Sequence, residues 1–143
     1  MRLPLFAAAL AAFTVASVSA QNVAAEKQLK GTWALVSATH GGMRVPEDKI
    51  GKAAVTFDGD TMTMTEGESK KTAKYKLDTT KSPHMIDIHP QGGNDAGKVV
   101  RGLYEVKGDT LQLCFGRPDE ARPTAIATKE GDRTVLAEFK KVK

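Results

Sequence analysis

The stretch from Gly102 to Thr124, GLYEVKGDTLQLCFGRPDEARPT, reads as strand, tight turn, strand and then a loop stopped by two prolines. Two alternating runs flank Lys107-Gly108-Asp109, a sequence that favours a hairpin turn. In the first run Arg101, Leu103 and Glu105 share one face. Val100, Gly102, Tyr104 and Val106 share the other, because side chains alternate along a strand. Phase places the apolar Tyr104 face inward. The stretch therefore predicts an antiparallel, all-β chain.

The same grammar extends in both directions. Thr32 to Thr39 is a candidate strand with Trp33, Leu35 and Ser37 on one face and Ala34, Val36 and Ala38 on the other. A polar connection from Arg44 to Lys52 leads to Ala53 to Phe57, then to the turn Asp58-Gly59-Asp60. Thr61, Thr63 and Thr65 alternate with Met62 and Met64, which predicts a half-buried strand with methionine toward the core. Lys70 to Leu77 and Met85 to His89 follow, separated by the loop Asp78 to His84. A Gly- and Asn-rich loop, Pro90 to Lys98, leads to Val99 to Val106 and Thr110 to Phe115. Thr124 to Thr128 and Thr134 to Val142, around Glu130-Gly131-Asp132, complete about nine strands. Ala24 to Leu29 carries good helix formers in a segment too short for an independent helix, so a helical turn is expected ahead of Gly31. Sequential hairpins without a helix long enough for a βαβ crossover predict an up-and-down antiparallel barrel of about eight or nine strands. A β-sandwich stays open, although consecutive short turns leave few of the long crossovers that a Greek key requires.

Residues 1–20 combine a basic start at Arg2, an apolar run from Leu3 to Val18 and the small-residue ending Val18-Ser19-Ala20. This is the pattern of a signal peptide cleaved near Ala20. The expected product is an exported, periplasmic or extracellular single domain, residues 21–143, with no membrane span. Its basic residues are spread among acidic ones and form no stripe, which speaks against nucleic acid as a partner. Cys114 is the sole cysteine, so no disulfide within the chain can brace the fold. Six aromatics follow residue 20: Trp33, Phe57, Tyr75, Tyr104, Phe115 and Phe139. That is a thin supply for lining a wide cavity, so the barrel is either filled by aliphatic residues or modestly hollow.

Two segments carry a family resemblance. Gly31-Thr32-Trp33, following the helical lead-in, resembles the glycine-any-tryptophan signature of the lipocalin superfamily. GKVVRGLYEVKGDTLQLCF (Gly97 to Phe115) with Arg122-Pro123-Thr124, LKGTWALVSATHGGMRVPEDKI, YKLD and MIDI resemble a family of uncharacterised lipocalin-like domains of planctomycete type. The resemblance runs from about Leu29 to Lys140 and implies a lipocalin-like barrel, with no activity or cofactor attached. It also implies that Gly31, Trp33, Arg122 and Pro123 are structural, with Lys140 or Lys141 stacked on Trp33 at the closed end. Family members often place an aromatic shortly after Arg-Pro-Thr, where this chain has Ala125 and Ile126.

No catalytic, cofactor or metal motif stands out. His84, Asp87 and His89 could offer metal ligands, but strand geometry separates His84 from the other two without a bend. Arg117, Asp119, Glu120 and Arg122 crowd one loop, where Arg122 is suited to bond loop carbonyls or a carboxylate. Cys114 reads as a packed thiol. The leading expectation is a non-catalytic binding module for a small apolar or amphipathic molecule, with Trp33, Phe57, Met62, Met64, Tyr75 and Tyr104 as candidate ligand contacts. Two alternatives stay open. One is an interaction module with a filled barrel that binds protein or polysaccharide through its loops; the other is a small enzyme using Cys114 or His89.

Overall fold

The computed structural model describes residues 23–143. The signal-like segment 1–20 lies outside the described residues. A helix, α1, covers residues 23–29, and nine strands follow: β1 (Gly31–His40), β2 (Met43–Arg44), β3 (Ala54–Asp58), β4 (Thr61–Glu66), β5 (Ser69–Asp78), β6 (His84–Pro90), β7 (Val100–Lys107), β8 (Thr110–Phe115) and β9 (Val135–Lys141). One turn of helix, α2 (Glu47–Ile50), precedes β3, and a 3-10 turn, Gly93–Asp95, lies between β6 and β7.

Neighbouring strands are antiparallel, and β9 pairs with β1 as well as with β8. The eight strands β1 and β3 to β9 thus close into a barrel. β2 is an extra strand beside β1, as Thr39 faces Arg44 and His40 faces Met43. Closure satisfies the backbone groups that an open sheet would leave bare at its edges.

Two segments differ from the sequence reading. Thr124 to Thr128, expected as a strand, belongs to the irregular segment between β8 and β9, while Met43–Arg44, expected in a polar connection, pairs with β1. The ring accounts for the first difference: β9 already occupies the edges of both β8 and β1, so no edge there is left for another strand. The phase of β1 also differs. Between Leu35 and Ser37 the register with β9 shifts by one residue, a β-bulge at Val36. Val36 turns outward at 43% exposure, and beyond it Ala38, not Ser37, faces the lumen. One inserted residue reverses every later side chain.

Bulky residues gather at the end of the barrel under α1. Leu29, Trp33, Phe57, Tyr75, Tyr104, Ile86 and Leu111 belong to a single buried cluster. Phe57 and Tyr75 meet edge to face at 5.2 Å. Trp33, 1% exposed, donates its Nε1–H to the Leu29 carbonyl at 2.8 Å, which ties the end of α1 to β1. The Lys141 ammonium lies over the indole, 4.7 Å from the ring centroid, and also donates to the Lys30 carbonyl. Its neighbour Lys140 turns away to pair with Asp109 at 3.7 Å. Gly31 has a φ of 120°, and a Cβ there would sit 3.0 Å from the Lys141 Nζ. Conformation and crowding both call for glycine at this position.

The segment 116–134 packs across the outside of β6 to β8. Cross-strand partners Met85, Leu103, Cys114 and Leu136 form a row along the outer face of the sheet. Leu103 and Cys114 are buried despite facing away from the lumen, and the Cys114 thiol donates to the Ala127 carbonyl at 3.6 Å. Arg122 fixes this strap. Its guanidinium donates to the carbonyls of Ile86 (3.2 Å) and Gly102 (2.9 Å) and to the Asp87 carboxylate (2.5 Å). Arg101 adds a bond to the Glu120 carbonyl at 3.1 Å. Asp119, at a φ of 60°, accepts the Val99 N–H at 3.0 Å and donates its own N–H to the Val99 carbonyl at 2.8 Å.

Candidate functional site

The other half of the barrel is hollow. A cavity of about 720 Å³ opens between the start of β3, the first half of β5, the 91–95 loop and the start of β9. Its cause is side-chain size. Ala38, Ala53, Ala54, Ala73 and Ala137 line it, whereas the opposite end of the barrel carries aromatic rings and leucines. Leu35, Met62, Ile88, Leu113, Phe115 and Phe139 complete an apolar wall. A volume of this size lies within the range of about 300–1,000 Å³ typical of small-molecule sites.

Polar groups are confined to the rim. Lys70, Lys71 and Thr72 of β5 stand on one side, with Gln91, Asn94 and Asp95 on the facing loop. The Gln91 N–H bonds the Thr72 carbonyl at 3.0 Å, so this loop is attached to β5 beside the opening. Met64, 42% exposed, shares the lumen phase of Met62 and sits at the mouth opposite Lys71.

The six candidate ligand contacts fall into two groups. Met62 and Met64 line the cavity. Trp33, Phe57, Tyr75 and Tyr104 belong to the packing beneath it. The Tyr75 hydroxyl donates to the Gly59 carbonyl at 2.7 Å, whereas the Tyr104 hydroxyl is buried without a protein partner. Burial pushes Tyr104 up to about 12, with Tyr75 adding a smaller electrostatic contribution. Tyr75 is likewise raised to about 12 by burial first, and then by Glu26, Asp60 and Asp58. Both phenols stay neutral in the folded chain across the physiological range.

The residues suggested for metal or catalytic chemistry diverge. His84 meets the Tyr104 ring edge-on at 5.4 Å, Asp87 is held by Arg122 on the outer face, and His89 lies opposite Lys74. Among the described residues no group of three His, Cys, Asp or Glu side chains could hold a metal ion. Burial pushes the Cys114 thiol up, so its thiolate is disfavoured where it stands. A second, small cleft of about 90 Å³ lies outside the barrel between Lys76, Asp78, Asp87 and Arg122, where the strap is braced.

Sequence reasoning missed the alanines and the two rim lysines. The usable signal was present: Ala53, Ala73 and Ala137 occupy inward phases, where a filled barrel would place larger groups. Lys70-Lys71 reads in sequence as one more solvated basic pair.

Fold and cavity together define a closed eight-strand antiparallel β-barrel, plugged at one end and open at the other. No family model matches the chain, so the resemblance to planctomycete-type domains rests on the quoted residues alone. The curated proteins likewise give no match. Among solved structures the chain is similar to a DUF4847 family protein from Bacteroides vulgatus, with 15% identity and a TM-score of 0.49, over 84% of this chain and 98% of that one. No helix among the described residues is long and apolar enough to cross a membrane.

Proposed function

We propose that this protein is a lipocalin-like binding module that holds a small apolar or amphipathic molecule in the open half of its barrel. The observation that carries the reading is the cavity of about 720 Å³ with an apolar wall and a polar rim. An apolar guest there would leave water for a surface of alanine, methionine and phenylalanine, a transfer worth roughly 25 cal/mol per Å² of buried apolar area. The plugged half supplies a rigid floor, which spares the guest the entropic cost of ordering the site. The signal-like segment 1–20 supports export, so the module would work outside the cytoplasm. Mass spectrometry of the protein recovered from a secreting host tests this, with a mature chain starting at Gln21 as the expected result.

The binding reading is tested with a neutral fluorescent probe, N-phenyl-1-naphthylamine. The unmodified protein should bind it with enhanced emission. The double substitution Ala73→Phe, Ala137→Leu fills the cavity and should weaken binding on the order of tenfold or more. Circular dichroism checks that the barrel persists in the variant. Absence of probe binding to the unmodified protein, or equal binding to the filled and folded variant, would sink the reading.

A further inference from the structure

The geometry points to an anionic amphiphile as the molecule held in the open half, its hydrocarbon part in the lumen and its acidic head at Lys70 and Lys71. This inference rests on the proposed binding role and adds the chemical class of the guest.

Register fixes where the two lysines stand. Lys71 faces Met64 across the β4–β5 hairpin and shares the phase of Ala73 and Tyr75, which is the lumen phase. Lys70 faces Thr65, and both lysines line the mouth of the cavity. Neither takes part in an ion pair among the described residues, whereas Lys74, Lys107 and Lys140 each have an acidic partner. Asp95, on the facing loop, is the sole carboxylate on the lining, so the rim carries two cations against one anion. Glu66 and Glu68 belong to the same hairpin as the lysines but do not line the opening.

A lysine whose backbone sits in the lumen phase lays its methylene stem along apolar wall and keeps its ammonium at the water boundary. Lys71 is placed this way, and Lys70, in the outward phase beside it at the same mouth, adds a second positive charge; together they recognise a negative group poised where the hydrocarbon ends. A cationic head would meet repulsion at the same place, and a neutral head would gain little beyond what water offers. Charge at the rim therefore sorts amphiphiles with identical tails by the sign of the head group.

The test compares three ligands with equal tails, all below the concentration at which they form micelles: dodecanoate, dodecanol and dodecyltrimethylammonium. Displacement of N-phenyl-1-naphthylamine reports each affinity. Dodecanoate is expected to bind about three- to tenfold more tightly than dodecanol, and the cation most weakly. Lys70→Gln with Lys71→Gln should bring dodecanoate down to the affinity of dodecanol in the same variant, and added salt should narrow the preference in the unmodified protein. Asp95→Asn should widen it. Equal affinity for the three ligands, or a preference that survives loss of both lysines, overturns the inference and leaves the binding reading intact. Failure of all three ligands and of the neutral probe overturns the binding reading itself. Co-sedimentation with phosphatidylglycerol vesicles without dodecanoate uptake would assign the lysines to a lipid surface, against the inference.

Discussion

The two halves of this barrel are built from the same strands yet follow opposite packing rules. Beneath the midline, inward positions carry Trp33, Phe57, Tyr75, Tyr104 and Leu111, and α1 seals them from water. Above it, the inward positions shrink to Ala38 on β1, Ala53 at the entry to β3, Ala73 on β5 and Ala137 on β9. Backbone hydrogen bonding runs through both halves alike, so the ladder holds the hollow end open while side-chain packing stabilises the other. Stability and recognition are thereby assigned to different residues, and substitutions should separate them.

The largest separation is expected at Trp33. Trp33→Ala removes a fully buried ring, its bond to Leu29 and the platform beneath Lys141, and should cost about 3–5 kcal/mol in urea unfolding. Met64→Ala at the mouth should cost no more than about 0.5 kcal/mol, as for other exposed positions. Where Trp33→Ala leaves too little folded protein to measure, Trp33→Phe keeps most of the volume and isolates the lost hydrogen bond and stacking. Equal sensitivity at Trp33 and Met64 would break the division between the halves.

The plugged half was more legible in sequence than the hollow one, for a physical reason. Alternation and Gly-Asp turns report which residues pair and which face the core, and they located eight of the nine strands because each hairpin is local. Trp33, with its lysine partner from the final strand, followed from the glycine-any-tryptophan resemblance. A cavity leaves a fainter trace, since it depends on which inward residues are small at one height around the ring, a relation between strands distant in sequence. The bulge at Val36 carries no compositional mark at all, yet it decides that Ala38 lines the lumen. Thr124 to Thr128 alternates as a strand would, and only closure of the ring by β9 shows why it stays outside.

A middle-sized effect is expected on the outer face, where the strap crosses both halves. Arg122→Ala removes three hydrogen bonds, two of them to backbone carbonyls. The Asp87 side chain is 39% exposed, so its ion pair is partly screened and the loss should be about 1–3 kcal/mol. Arg122→Lys should recover little of it, because an ammonium cannot reproduce the fork in which Nη1 donates to both the Ile86 and Gly102 carbonyls while Nη2 reaches Asp87. Cys114 gives a local reading of the same event. It is fully covered in the native protein, so a thiol reagent should label it slowly, and faster in Arg122→Ala than in Arg122→Lys only if the lysine retains some hold on the strap. Unchanged labelling in Arg122→Ala would show that the strap is held by other contacts.

The smallest effect at neutral pH belongs to the two tyrosines, and it appears only in alkali. Tyr75 and Tyr104 are the sole tyrosines of the chain and both are buried. In the unfolded chain they ionise near the ordinary 10.0, whereas in the folded barrel burial raises both to about 12. A phenol whose folded value is raised favours the folded state fully below 10.0, and that contribution is lost as pH rises toward and through about 12. The unfolded chain releases its protons first, so stability should fall over that window and hold steady below it. Ultraviolet titration of tyrosinate should accordingly show no step near 10.0 in the native protein, then a steep rise that coincides with loss of the circular dichroism signal. Tyr104→Phe keeps the ring and deletes the buried hydroxyl that lacks a partner, so it should move the alkaline transition upward and match or exceed the unmodified protein in stability at neutral pH. A tyrosinate step near 10.0 with the barrel still folded would mean that water reaches the plugged half, and the contrast between the halves would lose its basis.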